Sequence, residues 1–225
     1  MNIHLLKLSV SNAYLIQDRR PVLVDSGSPG DFETIRRKLG ELQVDLRDLA
    51  LIVHTHVHSD HIGCTAAIVA ECHCPIAYHA ADQPLVRRST NGTLRGVGLR
   101  GRIMSRFFSN VAFKSVEADF DLTDGFPLDG YGVDATILAT PGHTPGSISV
   151  INAAGDAIIG DVIMGGIVGG NLFPRKPNLH YFAEDVPQTL ASLDAILAKT
   201  SGTLYVGHGG PLSHADVAKW RSRQF

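Results

Sequence analysis

Residues 51–61 read Leu-Ile-Val-His-Thr-His-Val-His-Ser-Asp-His, so an apolar run leads directly into four histidines and an aspartate. A continuous apolar run of this kind is typical of a buried strand. Alternate side chains of an extended chain point the same way, so His56 and His58 can converge on one ion. Asp60 and His61 follow as the chain turns into a predicted helix, and they can point at a neighbouring ion. Imidazole and carboxylate ligands without a cysteine are typical of a zinc, manganese or iron site, and not of a structural zinc knot.

Three further candidate ligands lie at the ends of predicted strands, each beside a glycine. His143 stands in Pro-Gly-His-Thr-Pro-Gly (141–146), Asp161 in Ile-Gly-Asp (159–161) and His208 in Val-Gly-His-Gly (206–209). Glycine frees the backbone to place a neighbouring side chain where a ligand is needed. We therefore add these three residues to the predicted metal site.

The hydropathy pattern predicts short strands in both halves of the chain, each set followed by helices. The predicted strands are residues 3–8, 13–17, 21–25, 49–53, 75–79, 133–139, 147–152, 156–160 and 203–206. The predicted helices are residues 31–39, 61–72, 186–199 and 215–220, and residues 165–177 are predicted to form a loop rich in glycine and proline. We expect two similar β-rich halves within one domain of residues 1–225, with an insertion or lid at about 80–113.

Together, Asp25, Thr55–His61, His143, Asp161 and His208 resemble the five ordered motifs of the metallo-β-lactamase-fold hydrolases. The resemblance implies an α+β fold, a four-layer αββα sandwich with the site at one edge between two sheets. It also implies a structural role for Asp25 and a metal-binding role for seven other motif residues. Metal 1 would be held by His56, His58 and His143, metal 2 by Asp60, His61 and His208, and Asp161 would bridge the two.

The implied cofactors are two divalent ions, zinc first, with manganese or iron as alternatives. Two ions that share a water lower its pKa toward neutrality, so a bridging hydroxide can attack a carbonyl or phosphoryl centre. Asp60 is the predicted catalytic residue, because it can orient that hydroxide and pass a proton to the leaving group. His180 and Tyr181 are predicted to bind the substrate oxygen, and Asp25 is expected to fix the imidazoles.

Departures from the known branches of this family narrow the expected reaction. No motif position holds a cysteine, which argues against the β-lactamases that bind metal 2 through a cysteine. Asp161 together with the lack of a signal peptide argues against the other, secreted β-lactamases. The 17 residues after His208 (225 − 208) are too few for the helical domain with which glyoxalase II binds glutathione. We predict glyoxalase-II-like or lactonase-like hydrolysis of a carboxylic ester, thioester or lactone. The alternatives are a mononuclear iron persulfide dioxygenase and, less favoured, a β-lactamase or a non-catalytic metal-binding module.

Composition sets the expectations about partners and compartment. A formal net charge of −2 gives no basic face, so a small-molecule substrate is expected and nucleic acid is not. The first residues lack a basic region followed by a long apolar run, and no apolar run is long enough to span a membrane. These features predict a cytoplasmic protein without a membrane partner. The oligomeric state is left open, with a homodimer as one option.

Two features of the sequence stay open to more than one interpretation. Six arginines lie between Arg87 and Arg106 with no acidic residue among them, which indicates either a solvated helix face or an anion-binding lid over the site. His54 precedes the predicted ligands on the same side of the strand as His56. It is either a group that supports a ligand or, as we expect because the ligand set is already complete, a packed strand residue.

Overall fold

Strands and helices alternate along residues 1–224, the part of the chain that this computed structural model describes. The strands are β1 (Asn2–Lys7), β2 (Asn12–Gln17), β3 (Pro21–Val24), β4 (Leu51–Val53), β5 (Ile76–Tyr78), β6 (Phe120–Asp121), β7 (Ala135–Ala139), β8 (Ile148–Asn152), β9 (Ala157–Ile158), β10 (Met164–Ile167), β11 (Leu172–Asn178), β12 (Thr203–Tyr205) and β13 (Leu212–Ser213). The helices are α1 (Phe32–Glu41), α2 (Ser59–Ile62), α3 (Thr65–Cys72), α4 (Gln83–Arg88), α5 (Gly98–Phe108), α6 (Val186–Lys199) and α7 (His214–Arg221).

The strands form two main sheets and a separate hairpin. The first sheet has the order β1-β2-β3-β4-β5-β6, antiparallel from β1 to β3 and parallel from β3 to β6. The second sheet has the order β13-β12-β9-β8-β7, in which only the pair of β9 and β12 is parallel. Strands β10 and β11 pair only with each other. Each main sheet therefore corresponds to one of the two β-rich halves predicted from the sequence.

Side-chain alternation in β2 shows how the layers are stacked. Tyr14 and Ile16 belong to the core cluster shared by the two sheets, where they meet Ile137, Val150 and other buried residues of the second sheet. Their neighbours Ala13 and Leu15 belong to a different cluster on the outer face of the first sheet. Because successive side chains of a strand point to opposite faces, β2 contributes to both clusters and is buried on both sides.

Helices cover the outer face of each sheet. On the first sheet, Leu39 of α1 and Ile68 of α3 are fully buried in the outer cluster. On the second sheet, Leu193 and Ile196 of α6 and Val217 of α7 are buried in the corresponding cluster. The four layers are thus helix, sheet, sheet and helix, and the predicted αββα sandwich is present.

Two local predictions were wrong. The predicted helix 61–72 is two helices, α2 and α3, because the chain breaks at Gly63, whose amide donates to Gly27 O (2.9 Å) and which lies too close to Pro29 to carry a side chain. The predicted loop 165–177 contains most of a hairpin, β10–β11. Proline lacks an amide hydrogen and is tolerated on an edge strand, so Pro174 and Pro177 are compatible with β11.

The segment 80–113, predicted to be an insertion, contains α4 and α5 between β5 and β6. It is anchored near α6 by Val97, whose amide donates to Tyr181 O (2.8 Å), and by an isolated bridge between Gly96 and Phe182. Its role as a lid and the single-domain arrangement stay predictions. Within residues 1–224, no helix is both long enough and apolar enough to cross a lipid bilayer.

Candidate metal centre

The predicted ligands meet where loops from both sheets converge at one edge of the sandwich. The first sheet contributes the segment after β4, which carries His56, His58, Asp60 and His61. The second sheet contributes the loop between β7 and β8 with His143, the turn after β9 with Asp161, and the turn after β12 with His208. All seven side chains predicted from the sequence therefore lie in one cluster, and its two contributing sheets come from different halves of the chain.

One group of three consists of His56, His58 and His143. Their ligand atoms all lie within 4.8 Å of one another, and all three residues are buried. His143 Nε2 lies 3.1 Å from His58 Nδ1, and the His56 ring is roughly perpendicular to both neighbours, with interplanar angles of 89° and 85°. Three imidazole nitrogens converging in this way suit a tetrahedral zinc ion with one open position.

A second group of three consists of Asp60, His61 and His208, which also meet within 4.8 Å. Asp60 Oδ2 lies 3.4 Å from His208 Nε2 and 3.9 Å from His61 Nε2. The Asp60 side chain is 21% exposed, whereas the His61 side chain is fully buried. Asp60 is therefore the ligand candidate of this group with a surface open toward a substrate.

Asp161 lies between the two groups. Its Oδ2 is 3.8 Å from His56 Nε2 and 3.6 Å from His143 Nε2 on one side. On the other side it is 3.5 Å from His61 Nε2 and 3.3 Å from His208 Nε2. A single carboxylate oxygen within this distance of both groups is in a position to bridge two ions.

His180 is closer to the metal centre than the sequence suggested. Its Nε2 lies 3.3 Å from Asp161 Oδ2, and His143, Asp161 and His180 form another group that could hold an ion. Tyr181 lies farther out, where its hydroxyl accepts a hydrogen bond from Val168 N (2.8 Å). His180 is thus an additional potential ligand, whereas Tyr181 lines the cavity beside the site.

Three imidazoles of the cluster have their second nitrogen held by a protein group. His61 Nδ1 lies 2.8 Å from Asp25 Oδ2, His143 Nδ1 lies 2.8 Å from Phe182 O, and His208 Nδ1 lies 3.1 Å from Val10 O. Such partners fix the tautomer and aim the other nitrogen at the ion. Histidines of this cluster are therefore oriented through contacts that the ligand motifs alone do not reveal.

Asp25 is the centre of the network behind His61. It accepts hydrogen bonds from Thr55 N and Thr55 Oγ1, both at 2.8 Å, and its own backbone is left-handed at φ 61°. His54 is buried, with Nδ1 3.6 Å from Asp25 Oδ1 and Nε2 2.9 Å from Thr65 Oγ1. It belongs to none of the groups that could hold an ion, in line with the expectation that it packs inside the fold.

Asp82 is a buried residue that sequence reasoning missed. Its carboxylate accepts hydrogen bonds from Val57 N (3.0 Å), Thr144 Oγ1 (2.9 Å) and Gly146 N (2.8 Å). It therefore ties the segment that carries His56 and His58 to the loop that carries His143. Nothing in the local sequence distinguishes Asp82 from an exposed acidic residue at a helix start.

Two buried amides were also missed. Asn12 Nδ2 donates to Val206 O (2.9 Å) and Gly209 O (2.8 Å), so it fixes the turn that carries His208. Asn91 accepts from Ser59 N (2.6 Å) and donates to Phe108 O (3.2 Å), so it connects α2 to the end of α5. Both amides act across long sequence separations, which local patterns do not encode.

Gly207 shows how closely the backbone approaches the site. A Cβ built on this residue would overlap Asp161 Oδ1 and lie 2.8 Å from His61 Cε1. Any side chain here would displace a ligand candidate. The glycine before His208 therefore serves close approach, whereas the sequence analysis expected it to supply backbone freedom.

Electrostatics divide the histidines into two kinds. Burial lowers the pKa of His58 to about 4, and it lowers those of His56 and His143 well below the ordinary value. Burial also acts to lower the pKa of His208, but the charge of Asp161 and hydrogen bonds to Asp161 and Asp60 raise it to about 10. His56, His58 and His143 are thus neutral, as a metal ligand must be. His208 lies in a negative electrostatic potential that favours a cation.

A family model described as the metallo-beta-lactamase superfamily matches residues 6–208, a range that includes every predicted ligand. The chain is 26% identical to "Probable metallo-hydrolase YflN" of Bacillus subtilis (strain 168), over 94% of this chain and 85% of that protein. Both similarities extend over nearly the whole chain, so they are not limited to the histidine motif.

Two solved structures share the fold. The crystal structure of the B3 metallo-beta-lactamase BLEG-1 aligns with a TM-score of 0.70 at 21% identity, over 97% of each chain. The crystal structure of TTHA1623 in a di-iron-bound form aligns with a TM-score of 0.66 at 21% identity, over 97% of this chain and 98% of that chain. At this identity the likeness concerns the fold alone, and the predicted sandwich type is confirmed.

Proposed function

Because the chain belongs to the metallo-beta-lactamase superfamily, we propose that it is a dinuclear metal-dependent hydrolase of a carboxylic ester, thioester or lactone. The observation that carries this proposal is the position of Asp161 Oδ2, which lies 3.3 to 3.8 Å from imidazole nitrogens of both ligand groups. A mononuclear site would need only one complete group. Two complete groups around one shared carboxylate favour two ions.

Buried atoms without partners support metal binding. His56 Nε2, His61 Nε2 and Asp161 Oδ1 have no hydrogen-bond partner among residues 1–224. Leaving a buried polar group unsatisfied costs about 1–3 kcal/mol, so three of them in one cluster fit a site built for cations. Nitrogen and carboxylate ligands suit zinc first and manganese or iron next, and the di-iron form of TTHA1623 keeps iron in the set.

The proposed chemistry assigns separate tasks to the residues around the site. When bound, two divalent ions would supply a water acidified toward neutral pH and a Lewis acid for the substrate oxygen. Asp60, partly exposed to the cavity, would orient the attacking water and carry a proton to the leaving group. His180 Nε2, beside Asp161, and the Tyr181 hydroxyl are placed to contact the substrate oxygen as it gains charge.

A second candidate function has a specific observation in its favour. His143, Asp161 and His180 form a set of two histidines and one carboxylate, as do His56, His61 and Asp161. That ligand combination is typical of non-haem iron oxygenases. A mononuclear iron persulfide dioxygenase is therefore the alternative that metal content and oxygen uptake must separate from hydrolysis.

Metal content and turnover, measured on the same preparations, test both candidates. We expect about two equivalents of zinc, manganese or iron by mass spectrometry in the wild type and about one in His208→Ala, since that change removes a ligand of only one group. Hydrolysis of generic esters, thioesters and lactones should disappear with chelator and in Asp60→Ala. The matched control is His73→Asn, an exposed residue outside the site whose left-handed backbone (φ 53°) asparagine tolerates.

The outcomes distinguish the candidates. One equivalent of iron with oxygen uptake on glutathione persulfide, and no hydrolysis, would reject the hydrolase in favour of the dioxygenase. Stoichiometric metal with neither activity would point to a non-catalytic module.

A further inference from the structure

The space in front of the candidate metal centre is an apolar cavity of about 250 Å³. One end is formed by His58, Asp60, His180 and His208. The rest of the wall is mainly hydrophobic, and its larger side chains include Leu94, Met104, Phe108, Val111, Met164 and Phe182. A reacting group held at the metal end would therefore have its remaining atoms surrounded by hydrocarbon.

This inner cavity continues into an outer one of about 460 Å³. The two share Val10, Met104, Phe108, Gly169 and Tyr181, so they meet between α5 and the turn of the β10–β11 hairpin. The outer wall adds Ile103, which is 52% exposed, and Val168, which is 62% exposed. Exposed apolar side chains that are grouped around a groove often mark a ligand-binding site.

The acidic side chains that line the inner cavity, Asp60 and Asp161, both belong to the candidate metal centre. No arginine or lysine of the described residues lines this cavity, and Arg100 lines only the outer one. The six arginines between Arg87 and Arg106 are exposed, which is the solvated-face interpretation of that stretch. The Asn91 amide in the wall is already used, since it bonds to Ser59 N and Phe108 O. An anionic moiety such as glutathione would therefore find no arginine or lysine to pair with along the apolar part of the inner cavity.

We propose that this channel is a subsite for an apolar chain, so that the substrate is a lipophilic ester, thioester or lactone whose chain extends from the metal centre past Met104 to the surface. The proposal rests on the hydrolase function and specifies its substrate class. Each methylene that leaves water for an apolar wall can improve binding up to about fourfold. Specificity would then depend on chain length and not on charge.

Chain-length series on the metal-loaded protein test the proposal by turnover and by binding. The turnover series is the p-nitrophenyl esters of acetate, butyrate, hexanoate and octanoate, with n-alkyl acetates for a chain on the alcohol side. The binding series is n-alkyl methyl ketones from butyl to octyl, which are not hydrolysed, followed by calorimetry. We expect kcat/KM in one ester series, and ketone affinity, to rise about two- to fourfold per methylene until the channel is filled.

Three variants locate the chain. Met104→Trp replaces a flexible side chain by a bulky indole ring where the two cavities meet. Ile103→Arg places a charge at an exposed position of the outer cavity. Each should lower the octanoate-to-acetate ratio of kcat/KM about tenfold or more, since a few methylenes then lose their apolar wall. The matched control is Leu99→Trp on the same helix, because Leu99 is 75% exposed and lines neither cavity. Its ratio should equal that of the wild type.

The binding series separates failure of this proposal from failure of the hydrolase function. Ketone affinity that rises with chain length while every ester stays intact would support the subsite and reject hydrolysis. Ketone affinity that does not change with chain length would overturn the subsite whatever the esters do. An unchanged octanoate-to-acetate ratio in both Met104→Trp and Ile103→Arg would also overturn it, since the chain would then lie elsewhere.

Discussion

Replacing Asp82 should weaken both the fold and the metal centre, although this residue is not one of the ligand candidates. Its two oxygens accept from Val57 N, Thr144 Oγ1 and Gly146 N. Asp82→Ala leaves these three buried donors without an acceptor. At about 1–3 kcal/mol for each unsatisfied donor, and with water replacing part of the loss, we expect the free energy of unfolding to fall by about 4 kcal/mol.

The conservative variant gives a graded second measurement. In Asp82→Asn, the amide oxygen can replace Oδ2 and keep the bonds from Val57 and Thr144, but the amide nitrogen then faces Gly146 N, donor against donor. We expect a loss of about 2 kcal/mol. Because the two tethered segments carry His56, His58 and His143, metal affinity by chelator competition should fall about 10- to 100-fold in the alanine variant.

Urea denaturation followed by circular dichroism measures the stability term, with Asp134→Ala as the control. Asp134 is exposed, and changes at such positions are usually within about 0.5 kcal/mol of the wild type. If Asp82→Ala also stays within that range and keeps its metal affinity, the three hydrogen bonds do not hold the loops as the structure indicates.

Three further predictions concern the surroundings of the ligands. Burial raises the pKa of Asp82 despite its hydrogen bonds, so with rising pH this carboxyl ionises in the unfolded chain before it ionises in the folded protein. Urea denaturation at a series of pH values should therefore show that the free energy of unfolding of the wild type, compared with that of Asp82→Asn, falls as the pH rises above about 4. Gly207→Ala should lower metal affinity at least about tenfold. The control Gly40→Ala, at an exposed helical position, should raise the free energy of unfolding by up to about 1 kcal/mol. A metal affinity of Gly207→Ala equal to that of the wild type would refute the close approach at Gly207. Asp25→Asn should weaken the second metal about 10- to 100-fold; unchanged dissociation constants would rule out orientation of His61 by Asp25.

The clustering of the candidate ligands could be predicted from the sequence because much of the information is local. His56, His58, Asp60 and His61 lie within six positions, and a strand followed by a helix start is enough to aim them. The distant ligands His143, Asp161 and His208 were identified by their glycine-flanked positions at strand ends. The two-sheet architecture could also be predicted, because the hydropathy pattern shows strands followed by helices in each half of the chain.

The supporting contacts could not be predicted, because each depends on residues brought together only by the fold. Asp82 and Asn91 bond to groups between 17 and 64 positions away, and Asn12 bonds to groups nearly 200 positions away. The β10–β11 hairpin was hidden for a different reason. Its sequence is rich in glycine and proline, which normally indicate a loop, and only the edge position of β11 makes those residues compatible with a strand.

The division of the ligands between the two sheets has a consequence for the motions of the whole molecule. Ions held by His56 and His58 on one side and His143 and Asp161 on the other would act as a cross-link between the halves of the sandwich. Metal affinity would then be part of the free energy that keeps the sheets together. Amide hydrogens in the interior of both sheets would exchange more slowly as metal is added, including those in strands far from any ligand, because opening either half would require the release of an ion.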